Sequence, residues 1–209
     1  MTEEEAQAWL SAHNVPRETF TAISRFLDFL RQEATRQNLI AASTADALWA
    51  RHVVDSAQLL DHAGSWETWL DLGSGAGFPG LIIALLGTGH VTLIESRTKR
   101  VVFLKEAAAI AGISNRVTVV GSRVETAPRA RFDVISARAF APLPKLLELA
   151  LPFSEKATRW ILPKGRSAAE ELEAARASWQ GDFRLVPSVT DSQAAIIVAT
   201  GITVGKKKR

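Results

Sequence analysis

Apolar side chains recur every three or four positions through the first third of the chain, a spacing typical of amphipathic helices. Thr2 and Glu5 form a capping box for a short helix that runs to about His13. Pro16 can open a second helix, and a third is predicted over 44–62. The apolar face of the second helix comprises Phe20, Ile23, Phe26, Leu27 and Leu30. The first third of the chain is therefore predicted to be helical.

From Trp69 onward, short apolar runs typical of buried strands alternate with segments of helix length. The predicted strands are 69–72, 91–95, 117–120, 132–136, 157–162, 183–189 and 194–200, and the predicted helices are 78–86, 97–111, 144–151 and 168–178. This alternation indicates a mostly parallel sheet with helices on both faces. A short turn at Asp191–Ser192 joins the last two strands, so they must pair antiparallel. The predicted fold class is α/β, with a seven-stranded, mostly parallel sheet that ends in an antiparallel hairpin.

Composition narrows the classes of protein to which the chain can belong. The sequence has 209 residues and 47% hydrophobic residues, enough for the core of one domain with a small subdomain. Because the chain contains no cysteine, disulfides, a thiolate nucleophile and a cysteine-based metal site are excluded, and we predict no metal. The net charge is +3, but the last four residues, Lys206 to Arg209, are all basic, so the rest is near neutral. We predict a helical N-terminal subdomain over 1–64, a sheet domain over 65–204 and a basic tail over 205–209.

The sequence does not predict a membrane location. The N-terminus, Met1 to Glu5, is acidic and lacks an apolar core, so no signal peptide is expected. The longest apolar runs, such as 81–86, are far too short to cross a bilayer. We therefore expect a cytoplasmic protein that does not contact a membrane, and a monomer.

A glycine-rich loop over 71–80, with the sequence DLGSGAGFPG, follows the first predicted strand and opens a helix. Glycines let the backbone turn tightly and approach a ligand closely, and the helix start offers free N–H groups. The loop fits two templates. Asp71-x-Gly73-x-Gly75-x-Gly77 is typical of S-adenosylmethionine-dependent methyltransferases, whereas Gly75-x-Gly77-x-x-Gly80 is typical of dinucleotide-binding enzymes.

Two features favour S-adenosylmethionine as the cofactor. Asp71 precedes the first glycine and can sit near the positively charged amino-acid end of that molecule. The antiparallel C-terminal hairpin is typical of the class I methyltransferases, which have a Rossmann-like sheet. Glu95 ends the second predicted strand and could hold a ribose hydroxyl pair with either cofactor. The sequence thus predicts a class I S-adenosylmethionine-dependent methyltransferase fold with N-terminal helices.

The residues that are missing narrow the methyl acceptor. Pyrimidine carbon-5 methylation usually needs a cysteine, and exocyclic amine methylation typically uses an Asn/Asp-Pro-Pro-aromatic motif that the stretch 136–142 lacks. Ribose methylation commonly uses a Lys-Asp-Lys-Glu set, of which Lys164 offers one member without the Asp. A ring nitrogen such as guanine N7 remains, since its lone pair needs no general base. Arg138, just after the fourth strand, could pair with guanine O6 and N7 or bind the cofactor carboxylate.

A series of short motifs runs from about Asn38 to Gly165. They are Asn38-Leu39-Ile40, 51–56 (RHVVDS), 70–80, Glu95-Ser96, Lys99-Arg100, Phe103-Leu104, Arg123-Val124-Glu125, 136–139 (SARA) and 162–165 (LPKG). Together they resemble the small-subunit ribosomal RNA methyltransferase G family, also known as glucose-inhibited division protein B. This resemblance implies 7-methylation of guanine 527 of 16S ribosomal RNA, in the decoding region. The implied substrate is the RNA itself, the small ribosomal subunit or an assembly intermediate.

The resemblance also implies which residues form the site. The family's cofactor contacts carry over as Gly73, Phe78, Val124, Glu125 and Arg138, although family members more often have Ala at the position of Val124. His52 and Asp55 lie three apart on the third predicted helix and so share a face. Contact with RNA, ordering of the glycine loop and a helix-surface ion pair stay open for these two. Lys164 could approach the RNA backbone or be a plain surface lysine.

Three other functions stay open on the sequence alone. These are a nicotinamide-dependent dehydrogenase that uses Gly75-x-Gly77-x-x-Gly80, a non-catalytic RNA-binding or ribosome-assembly module, and a small-molecule methyltransferase. An enzyme that acts on RNA usually has a basic face. Because the chain without its last four residues is near neutral in charge, its composition alone does not predict such a face. Eight basic residues could cluster to form one: Arg97, Lys99, Arg100, Lys105, Arg116, Arg123, Arg138 and Lys145.

Overall fold

The computed structural model describes residues 1–41 and 44–205, so the predicted basic tail lies outside the described residues apart from Gly205. The strands are β1 (Thr68–Leu72), β2 (His90–Glu95), β3 (Val117–Gly121), β4 (Val134–Ala137), β5 (Arg159–Lys164), β6 (Trp179–Pro187) and β7 (Ala195–Val204). The α-helices are α1 (Glu3–Ala12), α2 (Arg17–Ala34), α3 (Asp55–Ala57), α4 (Gly80–Leu86), α5 (Thr98–Ile110), α6 (Leu143–Ala150) and α7 (Ala168–Arg176). Within these residues, no helix is long and apolar enough to span a bilayer.

One seven-stranded sheet runs through the molecule in the order β3-β2-β1-β4-β5-β7-β6. The pairs from β3 to β5 are parallel, whereas β7 pairs antiparallel with both β5 and β6. The predicted α/β class and the antiparallel hairpin are thereby confirmed. The strand order reverses between β1 and β4, and ligands of such sheets bind in the crevice at the carboxyl ends of the strands at this point.

The third helical segment begins later than its sequence pattern predicts. It consists of a π-helical stretch (Trp49–Val54), α3 and a 3-10 helix (Gln58–His62). Its start is capped by α1, because the carboxylate of Glu3 accepts the N–H groups of Trp49 (3.2 Å) and Ala50 (2.8 Å). The predicted capping box that starts α1 is confirmed by the paired contacts of Thr2 and Glu5.

The N-terminal helices share a hydrophobic core with one face of the sheet. Phe26 of α2 packs on Phe78 with ring centroids 5.4 Å apart, and Phe29 stacks on Phe103 of α5 at 5.3 Å. A second core, beneath α6 and α7, covers the other face and includes the fully buried Trp160. The division of the chain near residue 64 stays a prediction, and the first core extends across that point.

Candidate active site

The glycine loop lies at the carboxyl end of β1, beside the end of β4. Gly73, Gly75 and Gly77 have φ angles of +66°, +55° and +89°, in the left-handed region that favours glycine. A side chain at Gly73 would also meet the ring of Phe140, because an added Cβ would lie 2.5 Å from it. Both the backbone conformation and the space above it therefore require glycine at Gly73.

Asp71 supports the loop from beneath. Its side chain is fully buried, and it accepts hydrogen bonds from the Ser136 hydroxyl (2.8 Å) and the Gly80 N–H (3.3 Å). The indole of Trp69 in turn donates to the Ser136 hydroxyl at 2.8 Å. Burial raises the pKa of Asp71 to about 6 against the opposing effect of these hydrogen bonds. The carboxylate exposes no surface to a ligand and ties β1, β4 and α4 together, so its placement near the cofactor's amino-acid end stays a prediction.

Glu95 holds the other side of the loop. It is 5% exposed, and its two carboxylate oxygens accept the N–H of Gly75 (3.1 Å) and the N–H of Arg97 (2.9 Å). The Arg100 guanidinium lies 4.0 Å from it. The predicted acidic residue at the end of β2 therefore stands directly beside the predicted glycine loop.

A cavity of about 380 Å³ opens between the loop and the ends of β2 and β3. Four predicted site residues line it: Gly73, Glu95, Val124 and Glu125. Val124 is buried and Glu125 is exposed, on a short 3-10 turn after β3. Arg97, Arg100 and Arg123 line the same cavity, so three of the eight basic residues come together here.

Phe78 points away from this cavity. Its ring is 3% exposed and stacks on the His52 ring at 4.9 Å, and the Arg138 guanidinium lies 5.2 Å from its centroid. The Phe78 side chain thus joins the glycine loop to the N-terminal helices. A cofactor contact at Phe78, as the resemblance implies, would have to use its backbone.

A second and larger cavity, of about 680 Å³, adjoins the first. The two share Ala139 and Phe140, which follow β4. Ala139 has a φ of +50°, an unusual conformation for a residue with a side chain. Among the residues that line the larger cavity are Arg51, Asp55, Arg138, Lys164 and Thr190. Arg138, Asp55 and Lys164, predicted from distant motifs, are therefore brought together here.

Arg138 is held by one of its nitrogens. Within the described residues its hydrogen bonds all fall on Nη1, which lies 3.0 Å from His52 Nδ1, 3.4 Å from the Arg51 carbonyl oxygen and 3.5 Å from Asp55 Oδ2. Because a guanidinium only donates, His52 Nδ1 must accept, and the proton on Nε2 is donated to the Thr44 hydroxyl at 3.0 Å. Burial, together with the charges of Arg138 and Arg51, lowers the pKa of His52 to about 3. His52 is therefore a neutral acceptor that orders Arg138.

Lys164 forms part of a wall of the larger cavity. Its ammonium group donates to Glu171 at 2.8 Å and to the Ala141 carbonyl at 3.0 Å, and its side chain is 10% exposed. Glu171 also accepts the N–H of Leu143, at the start of α6. Lys164 is thus a largely buried, paired residue and not a plain surface lysine.

Comparison with known proteins identifies the family. The family model described as rRNA small subunit methyltransferase G matches residues 19–196. The chain belongs to this family. A protein of Rhizorhabdus wittichii named Ribosomal RNA small subunit methyltransferase G is 56% identical over 97% of this chain and 94% of its own length. The protein of the same name from Zymomonas mobilis is 53% identical over 100% of this chain and 98% of its own length.

Solved structures share the fold at low identity. The ribosomal protein L11 methylase of Lactobacillus delbrueckii superposes with a TM-score of 0.58 at 18% identity, covering 73% of this chain and 77% of its own. An O-methyltransferase from Bacillus cereus gives 0.58 at 17% identity, covering 84% and 90%. The class I methyltransferase fold predicted for this member of the methyltransferase G family is confirmed.

Two contributors to the site of this family member escape prediction from sequence. Phe140 follows the SARA motif directly, so its position after β4 could have drawn attention to it. The turn between β6 and β7 supplies Ser188, Thr190 and Asp191 to the larger cavity. The hydrogen bonds from this turn to the third helical segment join residues that lie 130 to 135 positions apart in sequence. A turn of this composition carries no signal of such a contact.

Proposed function

We propose that this chain is an S-adenosylmethionine-dependent methyltransferase that methylates N7 of a guanine in 16S ribosomal RNA. The observation that carries the proposal is the pair of cavities that meet at Ala139 and Phe140. One cavity lies beside the glycine loop and Glu95, and the other beside Arg138. Methyl transfer is a direct displacement, so an enzyme chiefly has to align donor and acceptor and exclude water. Two adjoining cavities in a member of an rRNA methyltransferase family suit that task.

The smaller cavity has the residues needed to hold S-adenosylmethionine. Glu95 would accept the ribose hydroxyls, because each of its oxygens keeps a lone pair after accepting one N–H group. The turn of Val124 and Glu125 would face the adenine, and the backbone at Gly73 and Gly75 would face the amino-acid end. When bound, the cofactor supplies an electrophilic methyl group. Asp71 contributes by fixing the loop from below.

In the larger cavity, the acceptor nitrogen has to keep its lone pair free. An arginine bonded to both O6 and N7 of guanine would occupy that lone pair. We therefore propose that Arg138 donates to O6 alone and does not form the bidentate pairing that the sequence left open. Nη1 of Arg138 is held by His52, which leaves Nη2 and Nε to donate to O6. No general base is required, because guanine N7 carries no proton at neutral pH. Binding of the cofactor carboxylate by Arg138 is the alternative.

The proposal also covers the target nucleotide, the form in which the RNA is presented, the cellular location and the oligomeric state. We propose guanine 527 of 16S ribosomal RNA as the target, presented as RNA, as the small subunit or as an assembly intermediate. A ribosomal substrate implies a cytoplasmic location, and a monomer suffices, since both cavities are built from one chain. The N-terminal helices (1–64) would form a subdomain that holds Arg138 against the methyltransferase domain (65–204).

Two measurements on the purified chain test the proposal. Calorimetric titration should show binding of S-adenosylmethionine and none of NAD; the reverse result would favour a dehydrogenase. Incubation with tritiated S-adenosylmethionine should label 16S ribosomal RNA or small subunits from a strain without its own methyltransferase G. Binding without label on any of these substrates would favour a non-catalytic RNA-binding module, and label only on small molecules would favour a different methyltransferase.

A further inference from the structure

The turn between β6 and β7 is bonded to the third helical segment through Gln58, a residue 2% exposed. The Val189 N–H donates to Gln58 Oε1 at 2.9 Å, which fixes the orientation of the amide because an N–H can only donate. The amide nitrogen therefore points to the Ser188 hydroxyl (3.1 Å) and to Asp55 Oδ1 (3.1 Å). A buried side chain thus joins two segments that lie 130 positions apart in sequence.

A chain of hydroxyl groups continues from this amide to Asp55. The Thr190 hydroxyl lies 2.9 Å from Asp55 Oδ1 and 2.9 Å from the Ser188 hydroxyl. A carboxylate only accepts, so Thr190 donates to Asp55 and Ser188 donates to Thr190. The donor and the acceptor of each hydrogen bond in this series are therefore determined, and the last acceptor is Asp55 Oδ1.

The two oxygens of Asp55 have separate partners. Oδ1 accepts from Thr190 and Gln58, whereas Oδ2 lies 3.5 Å from Nη1 of Arg138. The terminal torsion of an aspartate is broad, so without bonds at Oδ1 the carboxylate plane could rotate away from Arg138. The Thr190 hydroxyl, at 2.9 Å the shorter of the two contacts at Oδ1, therefore acts with the Gln58 amide to set the direction in which Asp55 meets Arg138.

We propose that Thr190 is a positioning residue for methyl transfer, acting on Arg138 through Asp55. This inference rests on the proposed function, in which Arg138 meets the acceptor base. All three residues line the larger cavity. The β6–β7 turn therefore forms part of the wall of that cavity and also holds Arg138 in place through Asp55. Small displacements of a group that orients a reactant are costly in rate.

The exposed ion pair between the same two segments is a weaker candidate for this role. Arg51 lies 3.4 Å from Asp191, but their side chains are 47% and 36% exposed. Surface pairs of this kind contribute little and are screened by salt. The part-buried hydroxyl chain, with its contacts of 2.9 Å, holds the turn in place independently of salt.

The test uses matched threonine variants of the full chain. Thr190→Val keeps the shape of the side chain and removes the hydroxyl, Thr190→Ser retains the hydroxyl, and Thr203→Val makes the same change at an exposed position near the far end of the hairpin. Thr190→Val should lower kcat/KM for ribosomal RNA by roughly three- to tenfold, the loss expected for one hydrogen bond. Thr190→Ser and Thr203→Val should stay within about twofold of the wild type, and all three should keep the wild-type affinity for S-adenosylmethionine.

A double-mutant cycle separates positioning from general weakening. If Thr190 acts through Asp55, adding Thr190→Val to Asp55→Ala, which removes the acceptor of the Thr190 hydroxyl, should lower kcat/KM by less than about twofold further. Equal activity of Thr190→Val and wild type would overturn the inference, as would fully multiplicative effects in the double variant. Both outcomes presuppose a wild type that methylates ribosomal RNA, so they are distinct from failure of the proposed function.

An NMR measurement decides the inference without turnover. The Nε–H signal of Arg138 reports the surroundings of its guanidinium. It should shift or broaden in Thr190→Val and remain at its wild-type position in Thr190→Ser and Thr203→Val. An unchanged signal in Thr190→Val would overturn the positioning role even if the wild type proved inactive on RNA.

Discussion

The neutral ring of His52 accepts a hydrogen bond from Arg138 at 3.0 Å while it stacks on Phe78, 4.9 Å away. Phe78 belongs to the glycine loop and Arg138 to the end of β4, so one side chain of the N-terminal helices contacts both halves of the proposed site. The helical N-terminus and the sheet that it joins also share one hydrophobic core. It also gives His52 a pH dependence of known sign.

Acid should destabilise the protein through His52. The folded state holds its pKa at about 3, whereas an unfolded histidine titrates near 6.5, so between these values the unfolded state binds the proton more tightly. Stability from this source is unaffected above pH 6.5 and falls by about 1 kcal/mol for each pH unit below it. Denaturant unfolding from pH 7 to 5 should show this loss, and His52→Gln should remove it.

Asp71 acts in the opposite direction over part of this range. Its pKa is raised from 3.8 to about 6, so protonation of Asp71 favours the folded state as the pH falls through that window. The comparison of wild type with His52→Gln cancels this contribution, since both proteins retain Asp71. If the two proteins lost stability equally between pH 7 and 5, the assignment of a buried neutral His52 would be wrong.

Arg138→Ala should abolish most activity while the fold survives. Removing a donor aimed at the reacting group typically costs roughly a hundredfold in kcat or more. Titration with S-adenosylmethionine should give a near wild-type Kd if Arg138 serves the acceptor, and a weakened one if it binds the cofactor carboxylate. Arg184→Ala, an exposed arginine on β6, is the matched control. A melting temperature far below that of the wild type would mean that Arg138 is chiefly structural.

Gly75→Asp should abolish cofactor binding. The substitution adds a side chain where φ is +55° and places a second carboxylate beside Glu95, which accepts the Gly75 N–H. Gly112→Asp is the matched control, because Gly112 has a φ of +74° with nothing within 4 Å of an added Cβ. Both variants carry a similar backbone strain, on the order of 1–3 kcal/mol. Equal retention of S-adenosylmethionine binding by the two would contradict the placement of the cofactor at the loop.

Glu95→Gln and Glu125→Gln make the same change at two positions of the smaller cavity. Glu95 is buried and accepts two backbone N–H groups, so an amide there would set an NH2 group against one of them. We expect Glu95→Gln to raise the Kd for S-adenosylmethionine by about tenfold or more. Glu125 is exposed, and contact through its backbone would leave the Kd within roughly threefold of the wild type. The opposite ranking in calorimetric titration would show that the ribose lies elsewhere.

Local patterns predict the α/β fold class with its antiparallel C-terminal hairpin, the capping box of α1 and the glycine loop, because each depends on residues close in sequence. The start of the third helical segment could not be predicted this way, since it is capped by Glu3 of another helix. The directions in which the side chains of the glycine loop point could not be predicted from local patterns either. Asp71 and Phe78 belong to the predicted motif, but their side chains face the protein interior, because Asp71 bonds to Ser136 and Phe78 stacks on His52, which both come from distant segments.

The most direct test maps the methylated nucleotide. A bacterial strain without its own small-subunit methyltransferase G would be complemented with this chain, and its 16S ribosomal RNA would be digested and analysed by mass spectrometry. The proposed function predicts that 7-methylguanosine returns at position 527 with the wild-type chain and is missing with Arg138→Ala. A soluble, expressed wild-type chain that left position 527 unmodified, or that methylated another atom or nucleotide, would contradict it.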